Sequence, residues 1–188
     1  LDVSLLGSAP EGALTDEAIQ LRDYQVSPVD KMLDHLIDKG GGILKAQGGR
    51  GKTVMALEIA RRLNTPTLVL VHKEFLKEQW MRRINGGEPD KGIPAFLPNA
   101  KVGFWQGDQV DSGEDFDFVI AMVQSVVNDR RTVPKELLDS FGLIISDEAH
   151  RYASETWHRA LTMFPAKYRL GLTATPVRRD GMEGIIYG

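Results

Sequence analysis

Two short stretches of this chain combine residue types that can do chemistry. The first is residues 43–60, ILKAQGGRGKTVMALEIA. An apolar run leads into Gly48, Gly49, Arg50 and Gly51, then Lys52, Thr53 and an apolar-periodic segment. Glycines let a main chain approach an anion with no Cβ in the way. Backbone N–H groups where a loop opens into a helix form a cradle for phosphate. A lysine at the helix start reaches the outer phosphates, and the hydroxyl beside it can ligate Mg2+. The second stretch is residues 141–150, FGLIISDEAH. A mostly apolar run ends in Asp147 and Glu148. A phosphate-bound Mg2+ needs a carboxylate at the end of a buried strand, and a second carboxylate one residue on can take a proton from water. Each stretch has a plainer reading alone: a Gly-rich turn capping a helix, and an acidic helix N-terminus. Together they favour nucleotide chemistry.

The phosphate-loop pattern asks for Gly, four residues, then Gly-Lys-Ser/Thr. Here Ala46 stands in the first slot, followed by Gln47, Gly48, Gly49 and Arg50. A small residue is tolerable there. The candidate ATP-binding residues are thus Gln47, Gly48, Gly49, Arg50, Gly51, Lys52 and Thr53. Thr53 and Asp147 are the candidate Mg2+ ligands, and Glu148 the candidate general base. Lys52 and Asp147 complete the catalytic set.

Such residues need elements to hold them. Apolar runs at 43–46, 67–72, 101–105, 117–122, 141–146 and 168–174 read as strands. They are continuous rather than alternating, as expected for strands buried on both faces of a mostly parallel sheet. Helical patterns lie between them, as in KTVMALEIARRL, KEFLKEQWMRRI, VPKELLDS and SETWHRALTMF. The alternation predicts a doubly wound α/β domain, with ligands beyond the carboxyl ends of the strands. Ahead of it, LRDYQVSPVDKMLDHLIDKGGG reads as a helix broken around Pro28 and closed by Gly40 to Gly42. Residues 1–20 read as a lead-in, and 85–99, rich in Gly and Pro, as a surface loop.

With 188 residues and 42% hydrophobic content, the chain can bury a core. A net charge of -3 argues against coating nucleic acid by bulk charge, but leaves room for a local basic groove. No cysteine is present, so disulfides and thiolate metal sites are excluded. No apolar run is long enough to span a bilayer, and no signal peptide is evident. A cytoplasmic or nucleoid-associated protein is expected. The chain opens on Leu1 rather than Met and reads as a piece of something longer.

The residues SDEAH resemble motif II of superfamily 2 helicases and translocases in its DEAH form. LGLTATPVRRDG, 170–181, resembles motif III, with the Pro-x-Arg tail of the branch holding type III and type I restriction motors and excision-repair helicases. LRDYQ, 21–25, resembles that branch's adenine-reading Q motif, LVLVHKEFLKEQW, 68–80, its motif Ia, and VIAMVQSV, 119–126, its motif Ic. The matches run in family order from residue 21 to about 184. The resemblance implies a RecA-like P-loop NTPase lobe over 21–188, using ATP and Mg2+ to drive movement on nucleic acid, DNA before RNA. It implies adenine contact by Arg22 and Gln25. It implies coupling of nucleotide and nucleic acid through His150, Thr173 and Thr175. It places His72, Lys73, Gln124 and Ser125 near a bound strand, although His72 ending a strand and Gln124 and Ser125 capping a helix are equally open. The motor needs a second RecA-like lobe with arginine fingers, which nothing after motif III supplies. This chain alone is therefore expected to hydrolyse ATP very slowly. A small-molecule kinase is a rival, but it leaves the motif III element unexplained. A binding module without turnover is another.

Four acids in DSGEDFD, 111–117, read as a solvated turn rather than a metal site. Trp80 has helical spacing with Leu76 and reads as core. Trp105 and Trp157 are weaker candidates for stacking on bases, and Arg178 and Arg179 follow motif III in an apparent loop.

Overall fold

The computed structural model describes residues 19–87, 95–128, 132–149 and 154–174. Helix α1 (Asp23–Lys39) is followed by β1 (Gly41–Lys45), α2 (Lys52–Leu63), β2 (Thr67–Val71) and α3 (Glu74–Met81). The end of α3 widens into a π turn over Arg82–Gly86. Then come β3 (Val102–Gln106), β4 (Gln109–Val110), β5 (Phe118–Met122), α4 (Val123–Val126), α5 (Lys135–Asp139), β6 (Leu143–Asp147), α6 (Glu155–Thr162) and β7 (Tyr168–Thr173).

The strands form one sheet in the order β1-β7-β6-β2-β5-β3-β4. Every neighbouring pair is parallel except the β3–β4 hairpin at the edge. The expected doubly wound α/β architecture is the observed one. The six expected strands are all present. The seventh, β4, is two residues long and too short to announce itself in the pattern; Gly107 makes the turn at φ 58°.

Strand alternation divides the core in two. Leu44, Val69, Val71, Ile120, Ile145 and Leu172 face α1, α2 and α3. Leu68, Leu70, Val119, Ala121 and Ile144 face α6, where Trp157, Ala160 and Phe164 pack. A side chain at a given strand end is thus committed to one layer by its parity. Asp147 shares parity with Leu143 and Ile145 and so lies on the α2–α3 side.

Two expectations about α1 need correction. The helix is not broken at Pro28 but runs straight through it. Pro28 lies in the second turn on the exposed side, so the helix loses one N–H donor to a carbonyl that water can reach. The helix is closed by Gly40 alone, in the left-handed region at φ 75°, with its N–H on the Leu36 carbonyl at 2.8 Å. Gly41 and Gly42 already belong to β1. A Cβ on Gly42 would stand 2.7 Å from Met32 Sδ, so glycine there lets α1 lie close against the strand.

Helix α2 is anchored by Glu58, which is 1% exposed. Its carboxylate accepts from Arg61 Nε at 2.8 Å and Arg62 Nε at 2.7 Å, and from the Ile19 N–H at 3.4 Å. Arg62 also donates to Asp30 of α1 at 2.6 Å. Burial by itself would raise the Glu58 pKa, but the hydrogen bonds and charges of Arg61 and Arg62 outweigh it and hold the carboxyl below its ordinary range.

Candidate nucleotide site

The sheet order sets β1, β7 and β6 side by side. The loop after β1, the end of β7 and Asp147 therefore come together at one carboxyl edge. The Ala46 N–H donates to the Thr173 carbonyl at 3.1 Å, which ties the start of the glycine loop to the end of β7. Asp147 pairs across from Leu172, one residue before Thr173. Thr173 itself is buried.

Within the loop, Gly49 and Gly51 have φ of 76° and 78°, a region that costs any other residue about 1–2 kcal/mol. Gly51 is the N-cap of α2. A Cβ built on Gly48 or Gly49 meets no atom within 4 Å, so the loop faces open space where an anion would approach. Gly51 differs: its Cβ would lie 2.3 Å from Gln25 Nε2. The Gln25 side chain is 3% exposed and braces the loop from behind. Its Nε2 donates to the Arg50 carbonyl at 3.0 Å, while its Oε1 accepts the Arg22 N–H at 2.9 Å.

Lys52 Nζ donates to the Ala46 carbonyl at 3.0 Å, folding the side chain over the loop. Asp147 Oδ2 accepts the indole N–H of Trp80 at 3.0 Å. Burial raises the Asp147 pKa, and the nearby Glu148 charge adds to this; the Trp80 hydrogen bond and the Lys52 charge act in the opposite direction. Glu148 adopts φ 73°, a left-handed conformation unusual for a glutamate and of the kind that collects at functional sites. Open glycines beside Lys52, Thr53 and Asp147 fit a phosphate-bound Mg2+, which takes one or two protein oxygens and fills its shell with phosphate and water. Among the described residues no three His, Asp or Glu side chains gather into a metal cage.

A cleft of about 370 Å3 opens between α1 and the loop, lined by Tyr24, Pro28, Leu44, Ala46, Gln47 and Arg50 among others. Arg50 Cζ lies 5.6 Å from the centre of the Tyr24 ring, and Arg22 Nη1 donates to the Tyr24 hydroxyl at 3.2 Å. Tyr24 carried no signal as a site residue, being an exposed aromatic inside a helical pattern.

The other half of the same edge collects the residues matched to nucleic-acid contact. Val71 pairs with Met122, so the segment with His72 and Lys73 and the helix α4 with Gln124 and Ser125 both start from the same end of adjacent strands. His72 is half-buried, and Lys73 and Gln124 are exposed. Lys73 Nζ lies 5.8 Å from the Phe75 ring centre, and Phe75 is 59% exposed. Ser125 Oγ accepts the Gly107 N–H at 3.2 Å, joining the β3–β4 turn to α4. No side chain caps α4, so the capping alternative for Gln124 and Ser125 does not hold. His150, Thr175, Arg178 and Arg179 lie outside the described residues.

All three tryptophans are buried, so Trp105 and Trp157 offer no face for stacking on a base. In the acidic turn, Asp111 accepts the Phe104 N–H at 2.7 Å and Asp117 the Lys101 N–H at 2.8 Å. Those two acids hold the loop; Glu114 and Asp115 are exposed, as expected. What the sequence hid was the second role of Trp80, whose spacing marked it as core and nothing more.

The fold and the arrangement of this edge are those of a RecA-like P-loop lobe of the superfamily 2 type. The family described as "Type III restriction enzyme, res subunit" matches residues 18–178, and the chain belongs to it. It is 34% identical over 166 residues to a protein of Acanthamoeba polyphaga mimivirus that carries the provisional name of an ATP-dependent RNA helicase, covering 88% of this chain and 30% of that protein. It is 33% identical over 182 residues to a DNA 3'-5' translocase of Sulfurisphaera tokodaii, covering 96% and 36%. The chain thus spans about a third of the length of these relatives. Among solved structures, the Sulfolobus solfataricus SWI2/SNF2 ATPase core in complex with double-stranded DNA shares the fold, with a TM-score of 0.71 at 22% identity over 92% of this chain and 37% of that one. No described helix is long and apolar enough to cross a membrane.

Proposed function

We propose that this chain is the ATP-binding lobe of a nucleic-acid-dependent ATPase that couples Mg-ATP hydrolysis to movement on DNA. The observation that carries the reading is the β1-β7-β6 order, which brings the glycine loop, Thr173 and the Asp147–Glu148 pair to one edge. In this reading the N–H groups of residues 47–53 and the Lys52 ammonium hold the phosphates. Thr53 and Asp147 would hold Mg2+. The ion, when bound, neutralises charge on the outer phosphates. Glu148 would accept the proton of the water whose oxygen attacks the γ-phosphorus, as the bond from that phosphorus to the β,γ-bridging oxygen breaks and ADP leaves with the electron pair. Gln25 keeps one amide N–H for the adenine edge beside Arg22, with Tyr24 and Arg50 walling the cleft.

His72, Lys73, Gln124 and Ser125 belong to the half of the edge where a nucleic-acid backbone would run, and Thr173, tied to the glycine loop through its carbonyl, would couple that half to the nucleotide; His150 and Thr175 would share the coupling by their place in the motifs. Turnover requires a second RecA-like lobe to close on ATP and supply arginines, which are worth about 10³–10⁵ in rate in phosphoryl-transfer enzymes. Residues 21–188 would then be one lobe, and this chain alone nearly inactive. DNA is preferred because the archaeal relative is named for DNA; the name of the viral relative supports RNA as the second reading.

The test is steady-state ATP hydrolysis by a two-lobe protein, with and without single- and double-stranded DNA and RNA, and with Glu148→Gln as control. Stimulation by DNA, lost in Glu148→Gln, is the expected result. Stimulation by RNA alone selects the second reading. Turnover that ignores every nucleic acid overturns both.

A further inference from the structure

The hydrogen bond between α3 and β6 is an unusual use of a core tryptophan. Trp80 is 1% exposed and packs in the same layer as Val69, Val71 and Ile145. Packing there asks for a large apolar side chain and makes no use of an N–H, and phenylalanine is the nearest ring without one. The indole adds one donor and no acceptor. That donor goes to Asp147 Oδ2 at 3.0 Å, across 67 positions of sequence. Burial of an indole N–H does not by itself force such a partner in this fold: Trp105 is 0% exposed and its Nε1 has none.

The carboxylate in question needs outside help. Asp147 is the last residue of β6, and the chain turns at once into the left-handed conformation of Glu148. The sheet fixes the Asp147 backbone, and the neighbouring Glu148 N–H also reaches the carboxylate, but that donor belongs to the same turn and moves with it. A charge-assisted hydrogen bond from Trp80 to Oδ2 ties the carboxylate to a separate element, α3. The donor is itself held from several sides. The π turn after α3 buries Ile84, and its Arg83 and Ile84 carbonyls accept N–H groups of Phe96 and Leu97 at 3.0 and 2.7 Å. Helix α3 therefore cannot slide along the sheet without breaking contacts well away from the site.

We propose that Trp80 is a positioning residue for the metal: its indole N–H orients the Asp147 carboxylate to receive Mg2+ with the bound nucleotide. The proposal rests on the reading of this edge as a Mg-nucleotide site. Partners that orient a metal ligand typically change metal affinity by about 10–100-fold when removed.

The experiment uses the chain labelled with ¹⁵N at tryptophan. Its three tryptophans give three indole N–H signals, assigned with Trp105→Phe and Trp157→Phe. A non-hydrolysable ATP analogue is titrated with EDTA and again with Mg2+. The Trp80 signal is expected to move when Mg2+ joins the nucleotide, and to move again in Asp147→Asn, while those of Trp105 and Trp157 stay. In Trp80→Phe the affinity measured in EDTA is expected to stay within about twofold, and the gain in affinity from Mg2+ to fall about 10–100-fold. A Trp80 signal indifferent to Mg2+ in a protein that binds Mg-nucleotide overturns the proposal, as does an undiminished Mg2+ gain in Trp80→Phe. The first of these outcomes holds even where Trp80→Phe fails to fold. A chain that binds no nucleotide under either condition instead overturns the reading of the site.

Discussion

The three loop glycines separate backbone strain from collision, because they differ in both. Gly51→Ala places a residue at φ 78° and drives its Cβ to 2.3 Å from Gln25 Nε2. The left-handed conformation costs about 1–2 kcal/mol. Gln25 is buried and must swing away, breaking hydrogen bonds of 3.0 and 2.9 Å to Arg50 and Arg22. Each of those is worth about 0.5–1.5 kcal/mol. Gly51→Ala should therefore cost roughly 2–5 kcal/mol of folding stability, the sum of strain and two lost bonds. Gly49→Ala has the same strain at φ 76° but open space around its Cβ, and should cost only about 1–2 kcal/mol. Gly48→Ala has neither fault and should fall within about 0.5 kcal/mol of wild type. Urea unfolding of each variant, followed by circular dichroism, measures the series. The cycle with Gln25→Ala is the sharper test. Gln25→Ala should cost about 1–3 kcal/mol alone and almost nothing on top of Gly51→Ala, since the bonds are already lost. It should add fully to Gly49→Ala. Equal costs for Gly51→Ala and Gly49→Ala, or additivity of Gly51→Ala with Gln25→Ala, would refute the account of Gln25 as the brace of this loop.

Glu58→Gln should destabilise the chain by about 2–3 kcal/mol at neutral pH, since it leaves two guanidiniums facing a neutral amide in a largely buried setting. The lowered Glu58 pKa makes its stabilisation fully present above the ordinary value of 4.5 and lost as the pH falls through the folded value. Denaturation midpoints of the two proteins should therefore converge on acidification, and a gap that persists at low pH would contradict the ion pairing. Asp147→Asn should raise the thermal midpoint in EDTA at neutral pH, because burial raises this carboxyl's pKa and so disfavours its charged form. A raised carboxyl pKa favours folding below the ordinary value of 3.8 and loses that advantage as the pH rises through the folded value. The gain should thus open with increasing pH and be absent in acid; the same variant should lose the Mg2+ dependence of nucleotide binding. A lowered midpoint would show that the charge is better compensated than its burial implies.

The local chemistry of this protein was written in short runs of sequence. Residues 48–53 and 147–148 stand out as candidates because a phosphate cradle and a strand-end carboxylate each need particular residue types at fixed spacing, which a few neighbours suffice to show. The strands declare themselves too, since burial on both faces leaves continuous apolar runs such as those of β2 and β6. Pro28 misled because a proline's cost depends on where in the helix it falls and on whether the freed carbonyl meets water. Gly41 and Gly42 misled because a glycine that ends a helix and one that lets a helix approach a strand look alike in one dimension. The order of strands is not local at all. Only packing decided that β7 lies between β1 and β6, so that Thr173 binds the loop while β2 and β5 carry His72, Lys73, Gln124 and Ser125 to the other half of the edge. Trp80 on Asp147 and Gln25 on the Arg50 carbonyl belong to the same class. The sequence marked the residues proposed to hold a phosphate and a metal. Which side chains hold those residues in place was decided in three dimensions, because a hydrogen bond across 67 or 25 positions leaves no period, spacing or composition for a linear reading to find.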